Sequence, residues 1–429
     1  MLGFFFVMEI KDLYKLFLEH PAVSTDSRRI TPGCMYFALK GEKFDGNRFA
    51  ADSIKAGAAY AVADDPSLTG HERIILVDDV LETLQALATH HRRKLGIPMI
   101  SITGSNGKTT TKELTRDVLN KKYKVLATAG NLNNHIGVPL TLLSLTGDTE
   151  MAVVEMGANH QGEINMLCNI ADPDYVMITN IGKAHLEGFG GVEGIKKGKS
   201  EMYRYAAYHH KKIFINTDDE VLVSLIPDGA DILKYSASGL LEVVKSDPTL
   251  TLKIEGKTVV TNLFGAYNLP NIAFAVAAGR YFGVALNDIC DALQNYQPDN
   301  NRSQIKQEGN TTYIMDAYNA NPTSMRLSLE SFSKNADRKK LAVLGDMLEL
   351  GEETHHEHRA MIGYARELGL AQVIFIGNHF AEAAMPDYGL YFRSAAEAKP
   401  YFTNLDKSDM VILLKGSRGT AVEKILDNG

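Results

Sequence analysis

At 429 residues the chain exceeds what one hydrophobic core usually supports, which predicts two or three domains. Hydrophobic residues at 45% and charged residues at 23% are the proportions of an ordinary folded protein and exclude a disordered, collagenous or coiled-coil chain. A net charge of −7 offers no basic footprint for nucleic acid, so a polyanionic ligand must be held by local features.

The opening MLGFFFV is apolar, but it lacks a basic start and is too short for a signal peptide. It reads as an upstream extension that packs little. From Met8 an amphipathic helix begins, with Ile10, Leu13, Leu16 and Phe17 on one face. Between about residues 20 and 96 short elements alternate with turn signals such as Thr31-Pro32-Gly33 and Asp45-Gly46, which predicts a small α/β domain. Cys34, Cys168 and Cys290 are far apart and form no CxxC pair, so buried thiols in a reducing cytoplasm are expected, without disulfide or zinc. No run of 18 apolar residues occurs, and no membrane insertion is expected.

After Pro98 the runs MISITG, KVLATAG, MAVVEMG, YVMITNIG and KKIFIN read as strands, with helices starting near Thr109, Ile136, Glu163 and Val192. This alternation predicts a mostly parallel, doubly wound sheet. Residues 249–264 alternate around a Glu-Gly turn and predict an antiparallel hairpin, followed by helices at about 269–282 and 287–296. After Arg302 a second set of strands begins, TYIMDAYN, KLAVLGDM, QVIFIG, GLYF and MVILLKGS, and predicts a Rossmann-like unit without GxGxxG. The expected fold is therefore α/β in three domains, at 1–97, 98–302 and 303–429.

Between the first of the central strands and its helix lies Thr103-Gly104-Ser105-Asn106-Gly107-Lys108-Thr109-Thr110. Glycines there turn backbone N–H groups toward a phosphate, Lys108 reaches the terminal phosphates, and Thr109 can ligate Mg²⁺. The loop departs from GxxxxGK[ST], because Ile102 stands where that pattern has its first glycine. A phosphate loop specifies a nucleotide and leaves kinase, GTPase, motor and ligase open. No NKxD guanine-reading sequence occurs, which disfavours the GTPase.

Further segments, spread from about residue 24 to 420, together resemble the Mur ligases. Among these they look like the branch that joins D-alanyl-D-alanine to a UDP-N-acetylmuramoyl tripeptide. Ser24-Thr25-Asp26-Ser27-Arg28 and Phe44-Asp45-Gly46 resemble the family's uridine-nucleotide pocket. The amide-rich loop holding Asn131, Asn133 and Asn134 resembles its contact with the UDP-muramoyl substrate. Glu155 and His185, at the ends of two successive strands, would be adjacent magnesium ligands, with Thr109. Lys199 would be a fourth ligand once carbamylated by CO₂, although Lys196 and Lys197 stand close by.

Asn268 and Asn271 match the family's adenine-contacting helix start, with Tyr267 where histidine is usual. Arg302 matches an arginine that meets the transferring phosphate. Asp316 and Asn319, in a segment with Leu344-Gly345-Asp346-Met347 that most favours this branch, would touch ribose or base. Lys415, Ser417 and Arg418 would lie near the phosphates or the acyl group. His355, His356 and His358 lack the i, i+4 spacing of helical chelators, and a polar helix face accounts for them.

The resemblance implies a cytoplasmic, monomeric enzyme using ATP and two magnesium ions. A carboxylate does not react usefully with an amine in water, and ATP solves this by forming an acyl phosphate. Lys108, Arg302 and Mg²⁺ would neutralise the γ-phosphoryl group, His185 and Lys199 would complete the catalytic set, and the C-terminal domain would close on ATP and D-alanyl-D-alanine. Two rivals stand beside this reading. A folylpolyglutamate-synthetase-like ligase should lack the uridine segment, and a nucleotide-regulated binding protein would not need Glu155, His185 and Lys199 together.

Overall fold

Runs of aliphatic and β-branched residues form strands wherever turn residues interrupt them, and amphipathic or alanine-rich stretches form the helices between. The computed structural model describes residues 8–299, 301–334 and 338–427. The MLGFFFV opening lies outside the described residues. The first helix is Ile10–Glu19, and it buries Leu13 and Phe17.

The chain divides into two compact units: Met1–Ser101, Lys124–Gly157 and Glu163–Tyr175 form the first, and Ile102–Tyr123, Ala158–Gly162 and Val176–Gly429 the second. In the first unit Val23–Ser24, Met35–Phe37, Tyr60–Ala63 and Ile74–Leu76 form a parallel four-stranded sheet in that order. Cys34, Tyr36, Ala38, Ala61 and Ala63 make its core. Asp79 caps the helix Val80–Leu95, and Gly96 ends it in the left-handed region. That helix packs on Gly137–Leu143 and Glu163–Ala171, so this unit takes in helices beyond residue 97. The strands Val125–Ala127 and Met151–Glu155 pair in parallel within it.

In the second unit Lys212–Asn216 pairs in parallel with Asp231–Tyr235, a strand the sequence reading did not anticipate. The expected hairpin forms from Thr251–Ile254 and Lys257–Val260. Its two turn residues, Glu255 and Gly256, both have positive φ, as a two-residue hairpin loop requires. Glu242–Lys245 adds a third antiparallel strand.

The C-terminal sheet has six strands in the order Gln304–Glu308, Thr311–Asp316, Met410–Lys415, Lys339–Gly345, Val373–Ile376, Leu390–Phe392. Only the first pairing is antiparallel. Leu341 and Val343, Ile374 and Ile376, and Ile412 and Leu414 pack into one core, while Ala342, Leu344, Phe375 and Leu413 are buried too. Burial of both faces explains why these strands read as continuous apolar runs. Among the described residues no helix is long and apolar enough to cross a membrane. Cys34, Cys168 and Cys290 are buried and in no disulfide.

Candidate active site

The strand Met99–Thr103 runs through the glycine loop into the helix Lys108–Leu119. Gly104 and Gly107 have φ of 141° and 78°, and Gly107 caps the helix. Side chains there would collide as well as strain the backbone. A Cβ on Gly104 would lie 2.0 Å from Thr179 Oγ1, and one on Gly107 2.5 Å from Asn271 Oδ1.

The segment 179–182 clamps the loop. Thr179 Oγ1 donates to the Asn106 carbonyl at 2.6 Å, Ser105 N to the Asn180 carbonyl at 3.0 Å, and Ser105 Oγ to the Gly182 carbonyl at 3.0 Å. Lys108 folds back on its own loop, donating to the Gly104 carbonyl at 2.8 Å. Thr109 and Thr110 are buried at the helix start.

Segments from beyond residue 302 reach this loop within the same unit. Asn321 donates to Asn106 Oδ1 at 2.7 Å, and Lys183 N donates to Thr323 Oγ1 at 3.0 Å. Asn321 also caps the helix Pro322–Ser333 through a reciprocal bond with Ser324. His185, with φ of 56°, bonds through Nδ1 to the Glu349 carboxylate. That hydrogen bond holds the Glu349 carboxyl below its ordinary range.

On the expected adenine side Thr111 Oγ1 donates to Asn271 Oδ1 at 3.0 Å, Asn271 Nδ2 to Asn268 Oδ1 at 2.9 Å, and Asn268 Nδ2 to the Phe264 carbonyl at 2.8 Å. Both asparagines are buried, and through Asn271 the phosphate-loop helix is tied to the start of the helix Leu269–Tyr281. Tyr267, at the histidine position, donates to Ser303 or accepts from it at 2.9 Å. Arg302 lies between two residues of positive φ, Asn301 and Ser303, and its guanidinium stacks 3.5 Å from the centre of the Tyr318 ring. Arg418, exposed, approaches the same ring at 5.6 Å.

Several C-terminal residues expected at ligands are tied into the fold. The Asp316 carboxylate accepts from Lys415 at 2.8 Å and Ser328 at 3.1 Å, and Asn319 Oδ1 accepts from Ala320 N. Ser417 bridges the Ala320 carbonyl and Leu348 N. Asp346 accepts from His379 N and Phe380 N, which makes it a helix cap.

The histidine cluster differs from a uniform polar face. His355 and His356 are exposed, but His358 is fully buried, accepting from Met347 N at Nε2 and bonding the Thr354 carbonyl at Nδ1. Burial lowers its pKa from the ordinary value.

The three neighbouring lysines separate by burial. Lys196 pairs with Glu193 and Lys197 is exposed, whereas Lys199 is fully buried. Lys199 Nζ donates to the Ala158 carbonyl at 3.1 Å and sits 5.0 Å over the Phe189 ring.

In the first unit Ser24 Oγ bonds the Asp26 and Arg29 carbonyls, while Thr25 and Ser27 are half-buried. Asp26 receives both Nε and Nη2 of Arg28 at 2.9 Å, and this pairing pulls its carboxyl down to about 2. Asp45 caps the turn Gly46–Phe49, and Gly46 sits against the Leu39 carbonyl where a Cβ would not fit. Burial, then the charges of Asp26 and Asp45, push the Tyr36 phenol up to about 12. Both turns therefore neighbour one buried tyrosine. Asn133 donates to the buried Glu155 carboxylate at 2.7 Å, Asn134 caps the backbone N–H groups of Ile136 and Gly137, and Asn131 is exposed.

Three family models match successive stretches: the Mur ligase family catalytic domain at residues 21–92, the Mur ligase middle domain at 102–279, and the Mur ligase glutamate ligase domain at 301–418. The UDP-N-acetylmuramoyl-tripeptide–D-alanyl-D-alanine ligase of Bacillus subtilis is 36% identical over 422 residues, covering 94% of this chain and 92% of that protein. The chain belongs to the Mur ligase family. The corresponding Escherichia coli enzyme is 32% identical over 431 residues, with 94% and 92% covered. Among solved structures, MurF of Acinetobacter baumannii superposes with a TM-score of 0.84 at 33% identity, covering 94% and 92% of the two chains. The MurF ligase of Thermotoga maritima in complex with ADP gives 0.85 at 29%, covering 95% and 97%.

For a Mur ligase the sequence reading missed three participants in this geometry: Asn321, Glu349 and Tyr318. Asn321 had a legible signal, since an amide just before proline marks a helix start. Glu349 and Tyr318 act across contacts that no spacing reveals. Among the described residues no group of three or more His, Cys, Asp or Glu side chains is placed to hold a metal. Magnesium does not need such a group, because it keeps waters and borrows phosphate oxygens. The buried Glu155 carboxylate and the Thr109 hydroxyl are donors it accepts, and the second ring nitrogen of His185 is a less usual one.

Proposed function

We propose that this ATP-dependent Mur ligase joins D-alanyl-D-alanine to UDP-N-acetylmuramoyl-tripeptide, giving the pentapeptide, ADP and phosphate in peptidoglycan precursor synthesis. The observation that carries the reading is a phosphate loop gripped by Thr179–Gly182 on one side and by Asn321 on the other. Near-full-length similarity to ligases bearing that name supports the substrates.

The residues divide the work as follows. Residues 1–97 take the UDP moiety, with Ser24–Arg28 and Asp45–Gly46 at the uridine, and the loop of Asn131, Asn133 and Asn134 beyond them faces the sugar and pyrophosphate. Residues 98–302 hold ATP, with Gly104–Thr110 on the phosphates and Asn268 and Asn271 toward adenine. Residues 303–429 close over ATP and the incoming dipeptide, which keeps water from the activated acyl group.

The terminal carboxylate of the tripeptide attacks the γ-phosphorus, ADP leaves, and an acyl phosphate forms. Lys108 and Arg302 carry positive charge to the oxygens where negative charge accumulates. The dipeptide amine then attacks the acyl carbon, and the tetrahedral intermediate expels phosphate. Thr109, Glu155, His185 and carbamylated Lys199 would hold magnesium, which supplies charge neutralisation at the phosphates. A cytoplasmic, monomeric enzyme completes this reading.

Product mass tests it. Purified protein given ATP, Mg²⁺, D-alanyl-D-alanine and the lysine- or diamino-acid-containing tripeptide should yield the matching pentapeptide and ADP. ADP released without tripeptide or dipeptide would sink the ligase assignment.

A further inference from the structure

We propose that Glu349 is a positioning residue for His185: its carboxylate holds the proton on Nδ1 and so presents the Nε2 lone pair to a magnesium ion. This rests on the reading of His185 as a metal ligand.

The geometry singles out this pair. His185 and Glu349 come from segments 164 residues apart, and their side chains meet at Nδ1. Both are non-glycine residues in the left-handed region, with φ of 56° and 62°. Such conformations are uncommon and collect at sites where the surroundings impose them. The Glu349 side chain is 55% exposed, and a polar contact so open to solvent contributes little to stability. Two strained residues meeting in a contact of low structural value point to a demand of the chemistry.

Glu349 is not a loose surface carboxylate. The backbone leading to it is pinned residue by residue: Asp346 N donates to the Ile376 carbonyl, Met347 N to buried His358, and Leu348 N to buried Ser417. Its own carbonyl accepts from Glu187 N at 3.3 Å, two residues past the histidine. On the other side Lys183 is fixed by Thr323 and by the buried carboxylate of Glu357. The imidazole is thus framed from both flanks by the C-terminal segments.

A neutral imidazole carries one N–H, and an anionic acceptor at Nδ1 selects the tautomer whose Nε2 is free of a proton. Outer carboxylates orient metal-bound histidines in this way, and their loss typically weakens metal binding ~10–100-fold. Because the orienting group arrives from beyond residue 302, a correctly set His185 depends on those segments being docked.

The test uses full-length protein labelled with ¹⁵N-histidine. Without magnesium, the two-bond ¹H–¹⁵N spectrum should show His185, identified by its loss in H185Q, protonated at Nδ1. E349L should move the proton toward Nε2 and raise the half-saturating magnesium concentration ~10–100-fold, with little change in KM for the UDP substrate. E349Q, whose amide oxygen still accepts from Nδ1, should restore most of both. Protonation at Nε2 in the parent, or an E349L enzyme with the parent's magnesium requirement beside a magnesium-starved H185Q, would overturn the proposal alone. An H185Q enzyme with the parent's magnesium requirement would overturn the ligand reading and the proposal with it.

Discussion

Asn321 donates its side-chain amide to the carboxamide oxygen of Asn106 across 2.7 Å, joining the start of a C-terminal helix to the phosphate loop. The same asparagine caps its own helix through Oδ1, so two functions sit on one side chain. They can be separated. Aspartate caps as well as asparagine but has no amide to give Asn106. N321A should lose ~1–2 kcal/mol of stability and raise KM for ATP, whereas N321D should keep most of the stability and still raise KM. Equal melting losses in both variants, with ATP kinetics unchanged, would reduce the contact to a cap.

The Asp26–Arg28 pair is open to solvent, yet two parallel hydrogen bonds depress the Asp26 carboxyl to about 2. A folded-state value below the usual ~3.9 means the stabilisation is present above about pH 4 and disappears as pH falls toward 2. R28A removes the largest cause, so a carboxyl-carbon NMR titration should find Asp26 moved up toward the ordinary range. The same variant should raise KM for the UDP substrate far more than KM for ATP. Equal effects on the two nucleotides would detach this turn from uridine binding.

His358 makes a different kind of pH claim. Its buried ring accepts from Met347 N, so it must be neutral at that nitrogen, and burial lowers its pKa from the ordinary 6.5. A depressed value gives stability that is full above about pH 6.5 and is lost as pH falls through the lower folded-state value. H358L should cost ~1–3 kcal/mol at pH 7 by leaving the Met347 N–H unpaired. It should also show a smaller drop in melting temperature between pH 7 and 5 than the parent. A parent-like drop would mean that other groups set the acid limit.

The elements were legible where a local pattern decides them. The Glu255-Gly256 turn forms where its dipeptide predicts, and the C-terminal strands announce themselves because both faces are buried. Asp231–Tyr235 and Gln304–Glu308 escaped notice, since neither is an apolar run, and each gains its order from pairing with a neighbour. Within the candidate site the glycine loop could be read from its residues and its place between strand and helix, whereas Asn268 and Asn271 were singled out only through the family resemblance. The division of labour among Asn131, Asn133 and Asn134 could not, because only the fold shows that Asn134 spends its oxygen on backbone N–H groups. Likewise only the fold shows that the Asp316 carboxylate accepts from Lys415 and Ser328.

Burial separates Lys199 from Lys196 and Lys197, and it sharpens the chemical expectation for that position. Lys199 is fully buried, with the Ala158 carbonyl 3.1 Å from its Nζ and the centre of the Phe189 ring at 5.0 Å. Ammonium cannot ligate magnesium, and beside the metal it would repel it. Reaction of the neutral amine with CO₂ gives a carbamate, which reverses the sign and keeps the reach. K199A should therefore lose at least ~100-fold in turnover and regain part of it when a small carboxylate is added. K199R keeps the positive charge without the carbamate and should remain inactive under the same addition. Enzyme equilibrated with ¹³C-labelled CO₂ should show one carbamate resonance that K199A lacks. Full activity with bare ammonium at Lys199 would leave this side chain a phosphate contact and would require the magnesium charge to be balanced by other groups.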